Sequence, residues 1–106
     1  MQSDDRLDRA VSLIFGAAPA GTRVILFGSR GRGEHQDDSD YDFLVVETDV
    51  SDRFAEMARL SEILGGSGIP ADVVVVSKAM FDRWRNEPNN VVSRAVREGT
   101  FFEPAA

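Results

Sequence analysis

Three short apolar runs rich in β-branched residues limit what this chain can fold into: 22–27 (TRVILF), 41–46 (YDFLVV) and 71–76 (ADVVVV). Each has strand length and is bounded by Gly, Pro or polar residues, the punctuation that ends a strand. The third run holds four consecutive valines, the pattern of a strand buried on both faces.

Helical periodicity fills the intervals. In 4–18, Leu7, Ala10, Val11, Ile14 and Ala18 recur at three- and four-residue steps, with Ser3 placed to cap the start and Gly16 then 19–21 to end it. In 52–64, Phe54, Met57, Leu60 and Leu64 define one face; Ser51 is a candidate cap and Gly65-Gly66 a candidate stop. Ser77 can cap a short helix to about Arg85, Pro88 breaks it, Asn89 or Asn90 can cap another, and Gly99 closes that one. Phe101 and Phe102 are expected to fold back onto the core. The order α-β-β-α-β-α-α predicts an α/β (α+β) fold, a small mixed β-sheet with helices packed against it.

The 106 residues fit one domain, 1–106, with a single core and little spare stability. An enzyme of this size has few residues for a lid or a specificity domain, so a large substrate would supply part of the site. The formal charge of −6 is the wrong sign for a free-standing nucleic-acid binder, which must neutralise phosphates; no nucleic acid is expected. No cysteine is present, which excludes disulfides, thiolate chemistry and Cys-ligated zinc. The polar, acidic N-terminus is unlike a signal peptide, and no apolar run approaches the ~18 residues of a membrane span. A cytoplasmic protein without membrane contact is the expectation.

Chemistry concentrates between the first two strands, where Gly28-Ser29 is followed by ten residues and then Asp40-Tyr41-Asp42. Gly28 ends a strand and lets the backbone turn close to a ligand. Ser29 stands where a helix would begin, so free N–H groups and its hydroxyl can face a phosphate. Arg30 and Arg32 add fixed positive charge, or are solvated loop charges; Gly31 and Gly33 keep the loop slim. Asp40 and Asp42, two apart at the start of a strand, project from the same face and suit hard divalent cations. Asp72 also opens a strand and reaches the same point if strand three lies beside strand two. Three converging carboxylates raise one another's pKa, a conflict that metal ions resolve.

This pattern resembles the nucleotidyltransferases of the polymerase-β superfamily, whose signature is GS, about ten residues, D-x-D, and a third acid on a later strand. The stretch GSRGRGEHQDDSDYDFLV is similar to that of the minimal nucleotidyltransferases, with Gly31 where Ala is common. The resemblance spans essentially the whole chain, including the DVVVV strand and the closing REG. It implies a polymerase-β-type core and, since such proteins are often antitoxins of HEPN-domain ribonuclease toxins, transfer of AMP from ATP to a toxin tyrosine with two Mg²⁺ ions. Asp40 and Asp42 would hold both ions, Asp72 the one nearer the nucleophile, and Gly28, Ser29, Arg30 and Arg32 the phosphates. A binding-only antitoxin, or transfer to a small molecule, are the competing readings.

Other residues carry less. His35 is the only histidine and reads as a surface residue or a substrate contact. Tyr41 is expected to face away from the two acids, into the core. Trp84, Phe101 and Phe102 read as packing residues or as anchors for a partner. Asp37 and Asp38 read as loop acids, Asp38 being spaced to pair with Asp40.

Overall fold

The computed structural model describes residues 5–28 and 40–104. The expected Ser3 cap and the loop residues Ser29, Arg30, Gly31, Arg32, Gly33, Glu34, His35, Asp37 and Asp38 lie outside the described residues. The elements run α1 Asp5–Ala17, β1 Arg23–Phe27, β2 Tyr41–Glu47, α2 Arg53–Gly66, β3 Ala71–Ser77, α3 Lys78–Trp84, α4 Val91–Glu98 and β4 Thr100–Phe102. Four strands form one mixed sheet in the order β3-β2-β1-β4. β1 is antiparallel to both neighbours, and β2 is parallel to β3, to which it connects through α2. The parallel pair requires such a crossover, and α2 buries its apolar stripe on the sheet in making it.

Alternation along the strands sends residues to two cores. Val24, Leu26, Tyr41, Phe43, Val45, Val73 and Val75 meet Ala10 and Ile14 of α1 and Leu60 and Leu64 of α2. Ile25, Phe27, Leu44, Val46 and Val76 meet Phe81 of α3 and Val92 and Ala95 of α4. The sheet is thus covered on both faces, as the run of valines predicts.

Several local expectations need correction. The cap of α2 is Asp52, not Ser51: its Oδ1 accepts the Ala55 N–H at 3.1 Å. The helix runs through Gly65-Gly66 and stops at Ser67 and Gly68, which turns at φ 76° so that its N–H donates to Gly65 O and that of Ile69 to Leu64 O, both at 3.0 Å. Phe54 does not share the buried face of α2; it is 74% exposed under the Arg53 guanidinium, 5.6 Å from its ring centroid. Arg53 Nε also donates to Val75 O at 2.7 Å, partnering a carbonyl of edge strand β3. The C-terminal segment forms strand β4 rather than a simple fold-back; Phe102 packs on the core while Phe101 remains 46% exposed. Of the two candidates expected to cap α4, Asn90 does so, as expected, and Asn89 takes a positive φ of 65°.

Candidate active site

The site lies where β1 ends and β2 and β3 begin. The Tyr41 N–H donates to Pro70 O at 3.0 Å, fixing the register at the mouth of the parallel pair. Tyr41 anchors that end from below: its ring is fully buried and stacks on Phe43 with centroids 5.9 Å apart. It faces away from the acids, as expected, because the strand alternates and Asp42 shares the face of Leu44 and Val46.

In this register Asp42 stands directly beside Asp72, and Phe27 stands beside Asp42 on the other side. Neighbouring strands are about 4.8 Å apart, and registered residues of a parallel pair point the same way, so the two carboxylates share one patch. Asp40 is exposed just before β2. The Asp42 carboxyl is pushed up from its ordinary value, first by burial and then by the charge of Asp72; Arg94 pulls it down and Asp40 adds a smaller upward push. The structure therefore brings Asp42, Asp72 and Asp40 into electrostatic contact. Among the described residues no three acidic or imidazole side chains are gathered tightly enough to hold an ion ready-made.

Gly28 completes the patch. Its φ is 72°, a region L side chains rarely adopt, and a Cβ there would collide with Asp42 Oδ2 and stand 3.2 Å from its Cγ. The bare Cα leaves the Asp42 carboxylate open on that side. Carboxylate oxygens from adjacent strands with a cleared approach fit a hard divalent cation, which takes oxygen ligands.

Arg94 is the residue that sequence reasoning missed. It projects from α4 with its guanidinium 5.4 Å from the Phe27 ring centroid, and its charge reaches Asp42. With Asn89, Asn90, Val91 and Arg97 it lines an open cleft at the start of α4. Its only signal in the sequence is membership of a basic C-terminal region; nothing there says that α4 covers the Asp42 face. Asn90 holds α4 in place, accepting the Ser93 N–H at 2.8 Å and donating to Trp84 O and Glu87 O at 3.0 and 2.9 Å. Trp84 packs against the same core, in keeping with a packing role.

Among the described residues no helix is long and apolar enough to cross a membrane. No curated protein matches the chain. Among solved structures, a mutant of the toxin-antitoxin MntA-HpeT matches with a TM-score of 0.65 at 20% identity, covering 98% of this chain and 75% of that one. A toxin-antitoxin structure with AMP-PNP matches with a TM-score of 0.54 at 22% identity, covering 89% and 69%. A protein provisionally assigned as a minimal nucleotidyltransferase matches with a TM-score of 0.56 at 29% identity, covering 91% and 88%. The first two likenesses carry the fold. Residues 7–99, which include Gly28, Asp40, Asp42 and Asp72, match the nucleotidyltransferase domain, and the chain belongs to that family.

Proposed function

We propose that this nucleotidyltransferase moves AMP from ATP to a hydroxyl, a tyrosine of a HEPN-type toxin, and so acts as the toxin's antitoxin in the cytoplasm, where ATP is made. The observation that carries the reading is the register of Asp42 with Asp72 beside the cleared approach at Gly28. The likeness to toxin-antitoxin structures, one of them with AMP-PNP, supports the partner and the donor.

In this reading Asp40, Asp42 and Asp72 would hold the Mg²⁺ ions. Bound there, Mg²⁺ would neutralise charge on the triphosphate and acidify the acceptor hydroxyl. Gly28 and Ser29 bind the phosphates through backbone N–H groups, Arg30 and Arg32 steady the pyrophosphate, and Arg94 adds positive charge on the same face. The acceptor oxygen forms a bond to the α-phosphorus as the bond to pyrophosphate breaks, and Asp72 receives the hydroxyl proton. Most of the catalysis is positioning and charge neutralisation, which suits a chain of this size.

The test is the intact mass of the co-purified toxin after incubation with this protein, ATP and Mg²⁺, beside a D40N/D42N double variant. A gain of one or more AMP units that the variant cannot produce is the expected result. An unmodified toxin that stays suppressed would overturn the reading in favour of neutralisation by binding alone.

A further inference from the structure

Two acids and an arginine stand in a row across the end of the sheet. Asp72 lies on β3, an edge strand, and is exposed; Asp42 is its neighbour on β2, and Phe27 is the neighbour of Asp42 on β1. Registered residues share a face and stand about 5 Å apart, so the row spans roughly 10 Å. The Arg94 guanidinium lies over its last member, 5.4 Å from the Phe27 ring centroid. Charge therefore changes sign along the row, from carboxylates at the open edge to a guanidinium on the β1 side.

Transfer to a hydroxyl gives that order a direction. The attacking and leaving oxygens lie roughly in line through the α-phosphorus. With the acceptor proton going to Asp72, the acceptor stands at the β3 edge and the phosphorus at Asp42. The leaving oxygen then points along the row towards Phe27, which brings the pyrophosphate to Arg94. The acceptor oxygen bonds to phosphorus, the bond from phosphorus to the bridging oxygen breaks, and its electron pair departs with the pyrophosphate. Negative charge grows on the side where the guanidinium is held.

The cleft on that side suits an anion. Its volume is about 330 Å³, and the charged residues lining it are Arg94 and Arg97, with no acid among them, in a chain whose net charge is −6. Asn90 lines it too, but its amide is committed to Ser93 N–H, Trp84 O and Glu87 O. Among the described residues Arg94 has one ion pair, Nε to Glu98 Oε2 at 3.6 Å, which leaves its Nη groups to a ligand. A guanidinium fork can meet phosphate oxygens in pairs. We infer that Arg94 binds the leaving pyrophosphate of the donor, with Arg97 lining the same cleft; this rests on the nucleotidyl-transfer reading. Packing of α4 alone would explain the contact with Phe27, but not a cleft whose charged residues are all arginines.

The experiment has two arms. In the first, the whole chain is titrated calorimetrically with inorganic pyrophosphate and with AMP, Mg²⁺ being present. Arg94→Ala is expected to weaken pyrophosphate roughly ten- to a hundredfold, the range for hydrogen bonds to a charged group, and to leave AMP unaltered, with partial rescue in Arg94→Lys. Arg85→Ala is the control: it removes the same charge and the same kind of contact, 5.1 Å from the Phe81 ring centroid, but Arg85 lines a different cleft. In the second arm, transfer rates are compared for ATP analogues with CH₂, CHF or CF₂ between the β- and γ-phosphorus, which differ in leaving-group acidity. The loss in Arg94→Ala is expected to shrink as the leaving group becomes more acidic, whereas a structural fault slows all donors alike. Unaltered pyrophosphate affinity, an equal loss in Arg85→Ala, or a uniform loss across the donors would overturn the proposal while transfer itself stands. Absence of transfer by the wild type with every donor would instead sink the transferase reading, and the pyrophosphate titration would then decide for or against the subsite by itself.

Discussion

The space a Gly28 side chain would occupy is the space the Asp42 carboxylate uses. One residue ends β1 and the other opens β2, so the first two strands can bring a carboxylate to this edge only if the position before the loop has no Cβ. Gly28→Ala therefore carries two penalties, a side chain at positive φ and displacement of Asp42. The expected outcome is a loss of roughly 1–3 kcal/mol in stability, read by thermal or denaturant unfolding. Nucleotidyl transfer is expected to fall far more than the unfolded fraction can explain. Full activity in a folded Gly28→Ala protein would count against Asp42 as a working group.

Asp42→Asn separates fold from function. Burial and the charge of Asp72 hold the Asp42 carboxyl above its ordinary value, so the ionised form destabilises the metal-free fold. A raised acid contributes stability that is fully present below its unfolded pKa and is lost as pH rises through the folded value. Removing the charge is thus expected to leave the metal-free Tm near neutral pH unchanged or higher. Activity is expected to drop by on the order of 10²–10³ or more, the loss typical of one charge-stabilising group. A large fall in Tm would identify Asp42 as a structural group instead.

Arg94→Ala tests the residue that the fold, not the sequence, assigns to this face. Its guanidinium lies over Phe27 and its charge lowers the Asp42 pKa against burial. The variant is expected to lose about 0.5–1 kcal/mol with the cation–π contact. Carboxyl NMR should show Asp42 titrating at higher pH than in the wild type. An unmoved Asp42 titration would mean that solvent screens the two charges from each other.

The acids were legible in the sequence because period-two alternation is a local rule: Asp40-Tyr41-Asp42 at a strand start implies Tyr41 inward and Asp42 on the opposite face. That Asp72 registers with Asp42 was a conditional reading, resting on strand order, which only long-range pairing decides. Arg94 was illegible for the same reason, since α4 reaches the Asp42 face only once β4 turns back to pair with β1. The α2 errors have a different origin. Asp52 is as good a cap by residue type as the expected Ser51, and Gly68 as good a stop as Gly65-Gly66, so backbone geometry rather than residue type decided. Phe54 fits the helical stripe by spacing but sits in the first turn and stays 74% exposed, with the Arg53 guanidinium over its ring. The Glu47–Glu56 pair left no trace, because the strand and the helix that carry it meet only in three dimensions.

That pair yields a prediction about pH. The Glu47 carboxyl is pushed up to about 7 by burial and by Glu56, while Glu56 is held down at about 2 by its bonds to Arg59 and Glu47. One proton, kept on Glu47, satisfies both. The groups facing Glu47 are Glu56 and Arg59 from α2, with Asp49 and Asp52 lining the cleft beside them. The stability Glu47 contributes is fully present below its unfolded value of 4.5 and is lost as pH rises through about 7. Glu56 has the opposite sign: its contribution is present above 4.5 and lost only as pH falls through about 2. Between about pH 5 and pH 8, then, the wild type is expected to lose on the order of 1–3 kcal/mol from Glu47 alone. Glu47→Gln keeps a donor towards Glu56 but has no charge to acquire, so its stability is expected to fall less over that window and to exceed the wild type's above pH 7. Parallel pH–Tm curves for the two proteins would show that Glu47 ionises without cost, and that water or a neighbouring cation already meets its inner oxygen.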